Sequence, residues 1–213
     1  MGGKVFTLEA DGIRIEGFTI TGGWYGIFIN SNNNSISKNN ISSNTKYGIY
    51  LDYSYNNSIS NNIISSKNGF GIVLDDSNNN SISNNIISNN RDGINLWDSN
   101  NNSISENNII SNIWGGISLR YSNNNSILNN NISSNEDFGI ALWYSSDNII
   151  YMNDFINNTE SVYSFDSTNI WNSTSQMTYT YEGRTYTNYL GNYWSDYTGS
   201  DADEDGIGDT PYI

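Results

Sequence analysis

The chain has no cysteine and no histidine among its 213 residues, and only eight lysines and arginines against 22 aspartates and glutamates. Each shortage removes a class of explanation. Without cysteine there are no disulfides and no thiolate metal site, and thiols say nothing about the redox compartment. Without histidine the commonest metal ligand and the commonest general base are missing. A net charge of −14 and a pI near 4.1 argue against nucleic acid and anionic membrane surfaces as partners. No apolar run has membrane-spanning length, and MGGKVFTLEADG carries no signal-peptide pattern. The chain opens one strand before a repeat and stops at Thr210-Pro211-Tyr212-Ile213, so it is expected to be an excised domain or part of a longer reading frame.

Asparagine, serine and isoleucine are abundant instead, and they recur with a period. An anchor motif starts at Asn33, Asn56, Asn79, Asn101, Asn124 and Asp147, at spacings of 22 or 23 residues. A period that short means a solenoid, in which each coil buries its apolar side chains only by stacking on its neighbours. Four columns are apolar: one through Ile36, Ile59 and Ile82, one through Ile41, Ile64 and Ile87, and two set two residues apart in Gly-Ile-x-Leu. The last pair runs from Ile27 and Ile29 through Ile72 and Leu74 to Tyr163 and Phe165. Spacing of two with one apolar face is strand alternation, which excludes helical solenoids and predicts an all-β stack of parallel strands. Two polar columns, Asn34 to Asn148 and Asn39 to Asn153, read as asparagine ladders at coil corners, and Ser54, Ser77, Ser99, Ser122 and Ser145 read as a serine ladder. With the first coil from Asp11 to Asn30 this gives about seven coils, a stack roughly 30 Å long.

The repeat stops near Asn169, predicting a β-helix over residues 1–168 and a cap over 169–213. In the cap, MTYTYEGRTYTNYLGNYW reads as a β-hairpin turned at Glu182-Gly183, whose aromatics are expected to cover the open end of the core. Beyond it, Asp201, Asp203, Asp205 and Asp209 stand at positions 1, 3, 5 and 9 of a loop with Gly206 at 6 and the Ile207 carbonyl at 7. That is the oxygen pattern of a Ca²⁺ loop, although Tyr212 stands where an EF-hand has its bidentate Glu. A structural calcium is therefore expected, with a further ligand from Asp196, Glu204 or water. The bland alternative is an acidic, solvated turn.

Gly-Ile-x-Leu in Asn-rich coils, GFTITGG from Gly17 to Gly23, and NYWSDYTGSDADEDGIGDTPY from Asn192 to Tyr212 together resemble the NosD-type parallel β-helix repeat proteins over nearly the whole chain. The resemblance implies a right-handed parallel β-helix, an archaeal cell-surface or secreted setting, and kinship with carbohydrate-binding and sugar-hydrolase folds. The copper-linked role of the founding NosD proteins does not carry over, because copper calls for His, Cys or clustered Met, and Met1, Met152 and Met177 are scattered.

On the outer wall, the column after each Leu reads Asn30, Asp52, Asp75, Trp97, Arg120, Trp143 and Asp166, beside a column that includes Ser31, Tyr53, Asp76, Asp98, Tyr121, Tyr144 and Ser167. Indoles bracketing an arginine suit a sugar polymer, with rings stacking on Trp97 and Trp143 while Arg120, Tyr121, Tyr144, Asp52 and Asp75 take hydroxyls or uronates. In-register aromatic stacking that stabilises the coils without any ligand is the competing reading. Three function classes follow: a non-catalytic extracellular or cell-surface module, structural or carbohydrate-binding; a polysaccharide-acting lyase or hydrolase using Asp75, Asp76, Asp98 and Arg120; and an end-to-end assembly through an open first coil, if Met1 is the true start. The Asn-x-Ser/Thr sequons, such as those at Asn33 and Asn56, are read chiefly as by-products of an Asn/Ser-rich repeat rather than as glycan acceptors.

Overall fold

The computed structural model describes residues 3–212, which contain no helix. Three parallel sheets of eight, seven and eight strands run the length of a β-solenoid, and a two-stranded antiparallel hairpin follows. Sheet one begins at Lys4–Leu8 and ends at Glu160–Phe165, sheet two runs from Arg14–Glu16 to Ile149–Tyr151, and sheet three from Thr19–Thr21 to Asp154–Ile156, with Tyr193–Trp194 added after the last coil. Isoleucine lies over isoleucine through the middle of the stack, as in Ile27↔Ile49, Ile59↔Ile82 and Ile87↔Ile109. These side chains are fully buried and form one continuous core. No helix among the described residues is long and apolar enough to cross a membrane.

The repeat has a finer grain than its 23-residue period. From the second coil onward each coil contains two pentads of the form x-Asn-x-Ile-x, with Phe155 for the last Ile, such as Asn33-Asn34-Ser35-Ile36-Ser37 followed by Lys38-Asn39-Asn40-Ile41-Ser42. The first residue of each pentad turns the chain through left-handed backbone, with φ of 59° at Asn33 and 56° at Lys38. Asparagine tolerates that region, which is why it fills most corners. The second residue points inward: Asn62 Oδ1 accepts both the backbone N–H and the side-chain amide of Asn39, at 3.0 Å each. Both ladders continue past the coils, through Asn169 and Asn192. A third asparagine ladder, unread in the sequence, follows the second at Asn44, Asn90, Asn112, Asn135 and Asn158, with Ser66 in the remaining rung.

Two column assignments are corrected at the ends of the stack. In the last coil Val162 pairs with Ile140, Tyr163 with Ala141 and Phe165 with Trp143, so Tyr163 and Phe165 face outward. Seven residues separate Phe155 from Val162 where eight separate Ile132 from Ile140, and a one-residue change reverses which side chains face in. Asp166 therefore occupies the left-handed corner, φ 47°, beside the outward column that Phe165 ends. Ser31 and Ser167, read as wall residues, belong to the serine ladder: Ser31 N–H donates to Ser54 Oγ, and Ser145 N–H to Ser167 Oγ.

The cap follows expectation in Trp194 and departs from it in the hairpin tyrosines. Trp194 covers the core, stacking on Phe155 at 4.5 Å with Trp171 beside it and Tyr212 on its other face at 4.3 Å. The hairpin strands Met177–Tyr181 and Arg184–Asn188 do turn at Glu182-Gly183. Their tyrosines hold the acidic tail instead of the core: Tyr179 donates to the Asp205 carbonyl and Tyr186 to the Glu204 carbonyl. At the opposite end Phe6, Leu8, Ile15 and Phe18 rim a hollow of about 450 Å³ at the open face of the first coil. Met1 lies outside the described residues.

Candidate functional site

Sheet one presents three outward side chains per strand, because the in-out alternation is interrupted at a glycine. A Cβ on Gly93 would stand 2.5 Å from the carbonyl oxygen of Gly116, and one on Gly71 equally close to that of Gly93. Only glycine permits that approach, and it lets the preceding residue face solvent while the following Ile turns in. The outward positions are thus the residue before Gly, the residue between Ile and Leu, and the residue after Leu.

Down the stack the columns change character within one coil of each other. The first runs Tyr25, Tyr47 and Phe70, with rings 4.9 and 5.7 Å apart, then breaks at Asp92 and Gly115 before Phe138. The second falls from Phe28 and Tyr50 to Val73, Asn95, Ser118 and Ala141, then rises to Tyr163. The third places Trp97, Arg120 and Trp143 alongside. Small residues flanked by large ones leave a cleft of about 400 Å³. Asn95 and Ser118 form its floor, Asp92 one wall, Trp97, Arg120 and Trp143 the other, and Trp114 and Tyr144 its rim. At one end Phe70 and Trp97 meet edge-on at 5.8 Å, with Val73 fully buried between their columns. At the other Phe138 and Trp143 meet edge-on at 6.3 Å, and Ala141 is 2 % exposed.

The floor is polar and largely out of water. Asp92 is 6 % exposed, and its carboxylate accepts the Gly115 N–H at 3.1 Å. Burial pushes this carboxyl up to about 6, against the lowering effect of that hydrogen bond and of Arg91. The Oδ1 of Asn95 is buried without a hydrogen-bond partner. Arg91 lies 3.4 Å from the Trp114 ring centre and 5.1 Å from that of Phe70.

A raised carboxyl has an unusual stability sign. The folded state holds the Asp92 proton more tightly than the unfolded chain, so its contribution is complete below about pH 4 and is lost as pH rises through about 6. Asp92→Asn is therefore expected to stabilise the protein by about 1 to 3 kcal/mol at pH 7.5, with the gain vanishing below about pH 4. Paired urea melts at the two pH values check this; an equal effect at both would contradict the assignment.

Of the residues expected to bind ligand, Trp97, Arg120, Trp143 and Tyr144 come together at the cleft. Tyr121 adjoins it, stacked on Tyr144 at 5.1 Å with the Arg120 guanidinium 5.5 Å from its ring. Asp52 and Asp75 lie beyond the Phe70–Trp97 contact, in earlier coils. There Asp75 accepts the Tyr50 hydroxyl, and burial, then this neighbour, push the Tyr50 phenol up. Asp76 and Asp98 occupy left-handed corners, φ 47° and 49°. None of the four lines the cleft. Sequence reasoning missed Asp92, Asn95, Ser118 and Trp114; the available signal was the gap in the aromatic column.

The second cluster is the tail loop. Carboxylate oxygens of Asp201, Asp203 and Asp205 lie within 4.8 Å of one another. Asp201 accepts the N–H groups of Asp205 and Gly206, Asp205 accepts that of Ile207, and Asp209 accepts that of Ala202, so backbone turns aim the acids together. Burial, then Asp205, Asp209 and Asp201, raise the Asp203 carboxyl.

The profile of the family described as periplasmic copper-binding protein (NosD) matches residues 2–199. The donor set does not suit copper: with no His or Cys, Met152 at an exposed corner and Met177 on the hairpin are the described soft donors, and the clustered acids are hard oxygen ligands. Among solved structures, the chain is similar to the periplasmic alginate epimerase AlgG, with TM-score 0.68 and 28 % identity over 71 % of this chain and 37 % of that one. It shares the fold of the Dettilon tailspike protein gp208, with TM-score 0.58 and 18 % identity over 73 % of this chain and 42 % of that one. It thus spans less than half the length of either. No curated protein matches the chain. With its profile matched from residue 2 to residue 199 and its parallel β-solenoid of stacked Asn-rich coils, the chain belongs to the NosD family.

Proposed function

We propose that the chain is a glycan-recognition module working outside the cytoplasm, with sheet one as its binding face and a calcium-bound tail as its clasp. The observation that carries this reading is the break in the outward columns, which leaves Trp97 and Trp143 beside a polar floor in an otherwise filled wall. Indole faces take the apolar face of a sugar ring, while buried amide and carboxylate groups fix its hydroxyls. Arg120 and Arg91 add positive charge locally to a strongly acidic chain, favouring acidic glycans. Similarity to an epimerase whose name specifies alginate, and the family's periplasmic description, support the substrate class and the setting.

A polysaccharide microarray probed with the wild type, Trp97→Ala and Trp143→Ala tests the reading. The wild type is expected to bind, and each variant to stay folded, melting slightly earlier for its lost ring contacts, and to lose about tenfold or more in affinity. Variants that only melt earlier, with no glycan bound by the wild type, would make the aromatics a structural ladder.

Asp92 supports a second reading, a polysaccharide-acting enzyme. A buried carboxyl with a pKa near 6 in a cleft is suited to proton transfer near neutral pH. On that reading Asp92→Asn abolishes turnover of a bound glycan without abolishing binding. Equal product formation by variant and wild type would rule Asp92 out.

For the tail, Asp201, Asp203, Asp205 and Asp209 with the Ile207 carbonyl would hold Ca²⁺. Since the loop is tied to the hairpin by Tyr179 and Tyr186, binding stabilises the cap by mass action, about 2.7 kcal/mol at a hundredfold excess over Kd. EGTA should lower the melting temperature, and Asp203→Ala with Asp205→Ala should remove the response. An identical melt with and without EGTA would leave the loop an acidic turn.

A further inference from the structure

We infer that the cleft takes a single terminal sugar residue, a chain end or branch tip, rather than a stretch of polymer laid along the solenoid. This rests on the glycan reading and deepens it. A polymer following the stack would need an open channel over the column between Ile and Leu, and that column is blocked on both sides. Toward the N-terminal coils Phe70 and Trp97 touch across Val73, which has no exposed surface despite facing outward, and Tyr50 stands behind it. Toward the C-terminal coils Phe138 and Trp143 touch across Ala141, and Tyr163 packs on both rings at 5.2 and 5.5 Å. Between these two aromatic bridges lie only the coils carrying Asn95 and Ser118, a span of roughly 5 to 10 Å at the strand spacing, the length of one or two sugar rings. That space is built for polar contact, with the nine-tenths buried Asp92 in its wall and the unpartnered Asn95 Oδ1 in its floor. Arg120 is exposed at the outer edge of the cleft, and the remainder of the glycan would leave outward past it.

The test uses the best microarray glycan, immobilised intact, and two soluble competitors at equal mass: the intact polymer and the same polymer randomly shortened about fivefold. If termini are recognised, the shortened sample competes about five times better, in proportion to its chain ends. If the intact polymer competes equally well or better, internal residues are recognised and the inference is overturned while the glycan reading stands. A wild type that binds no glycan in either form overturns the glycan reading itself. Ser118→Tyr locates the site independently. The same column already accepts Tyr50 and Tyr163, so the variant should fold with an unchanged melting temperature and lose binding because its ring fills the space. A folded Ser118→Tyr with full binding would place recognition elsewhere.

Discussion

Asn85→Ala is expected to cost about 3 kcal/mol, close to the limit for a single polar side chain. Asn85 holds three coils together. Its Oδ1 accepts the backbone N–H and the amide of Asn62 in the preceding coil, and its Nδ2 donates to the carbonyls of Ile59 and Ser83 and to Asn107 Oδ1 in the next. Alanine leaves the Asn62 N–H buried with no partner, and Asn85 itself is 1 % exposed, so water cannot substitute without opening the coil. Asn85→Asp should be at least as harmful, because a carboxylate would face three acceptors with nothing to donate. Ser88→Ala, at the outward end of the strand Ile86–Ser88, is the control and should fall within about 0.5 kcal/mol of wild type. Equal melting shifts for the Asn85 and Ser88 variants would show that the ladder does not hold the coils.

The adjacent glycines 115 and 116 should behave in opposite ways. A Cβ on Gly116 would lie 2.6 Å from Ile132 Cγ2 and 2.7 Å from the Gly139 carbonyl oxygen, and neither neighbour can withdraw without moving the next coil. Gly116→Ala should therefore destabilise by about 3 kcal/mol or more, at the upper end of overpacking costs. A Cβ on Gly115 meets nothing closer than Asp92 Oδ1 at 3.4 Å, an ordinary contact at the edge of the cleft. Gly115→Ala should be neutral to within about 1 kcal/mol, or slightly stabilising through the unfolded chain. Guanidinium melts of the two variants distinguish them, and similar midpoints would contradict the role given to the glycine column.

How far the sequence could be read depended on whether a feature was periodic. Columns such as Ile36 to Ile150 and Asn39 to Asn153 are visible because every coil must satisfy the same contacts, so the solenoid, its core and two ladders follow from alignment of the chain with itself. The third asparagine ladder was hidden because Ser66 breaks it and the segments after it vary in length. Tyr163 and Phe165 were misplaced for a related reason: strand alternation has period two, so one missing residue before Val162 exchanges inside for outside. The cleft was only half legible. Trp97, Arg120 and Trp143 stand out by their presence, whereas the space beside them is made by what Asp92, Gly115 and Ser118 lack, and a gap in a column has no motif. Likewise the aromatics of the segment announced a cap that includes Trp194, but not that Trp171 would join it while Tyr179 and Tyr186 gripped the tail.

The central claim is that sheet one binds sugar at the break in its aromatic columns, and a crystal structure of the protein with its best microarray glycan tests it most directly. The account predicts a sugar ring against Trp97 or Trp143, over Ser118 and within hydrogen-bonding reach of Asp92 or Asn95. Sugar density on another face of the solenoid, with this cleft free of it, would contradict the account.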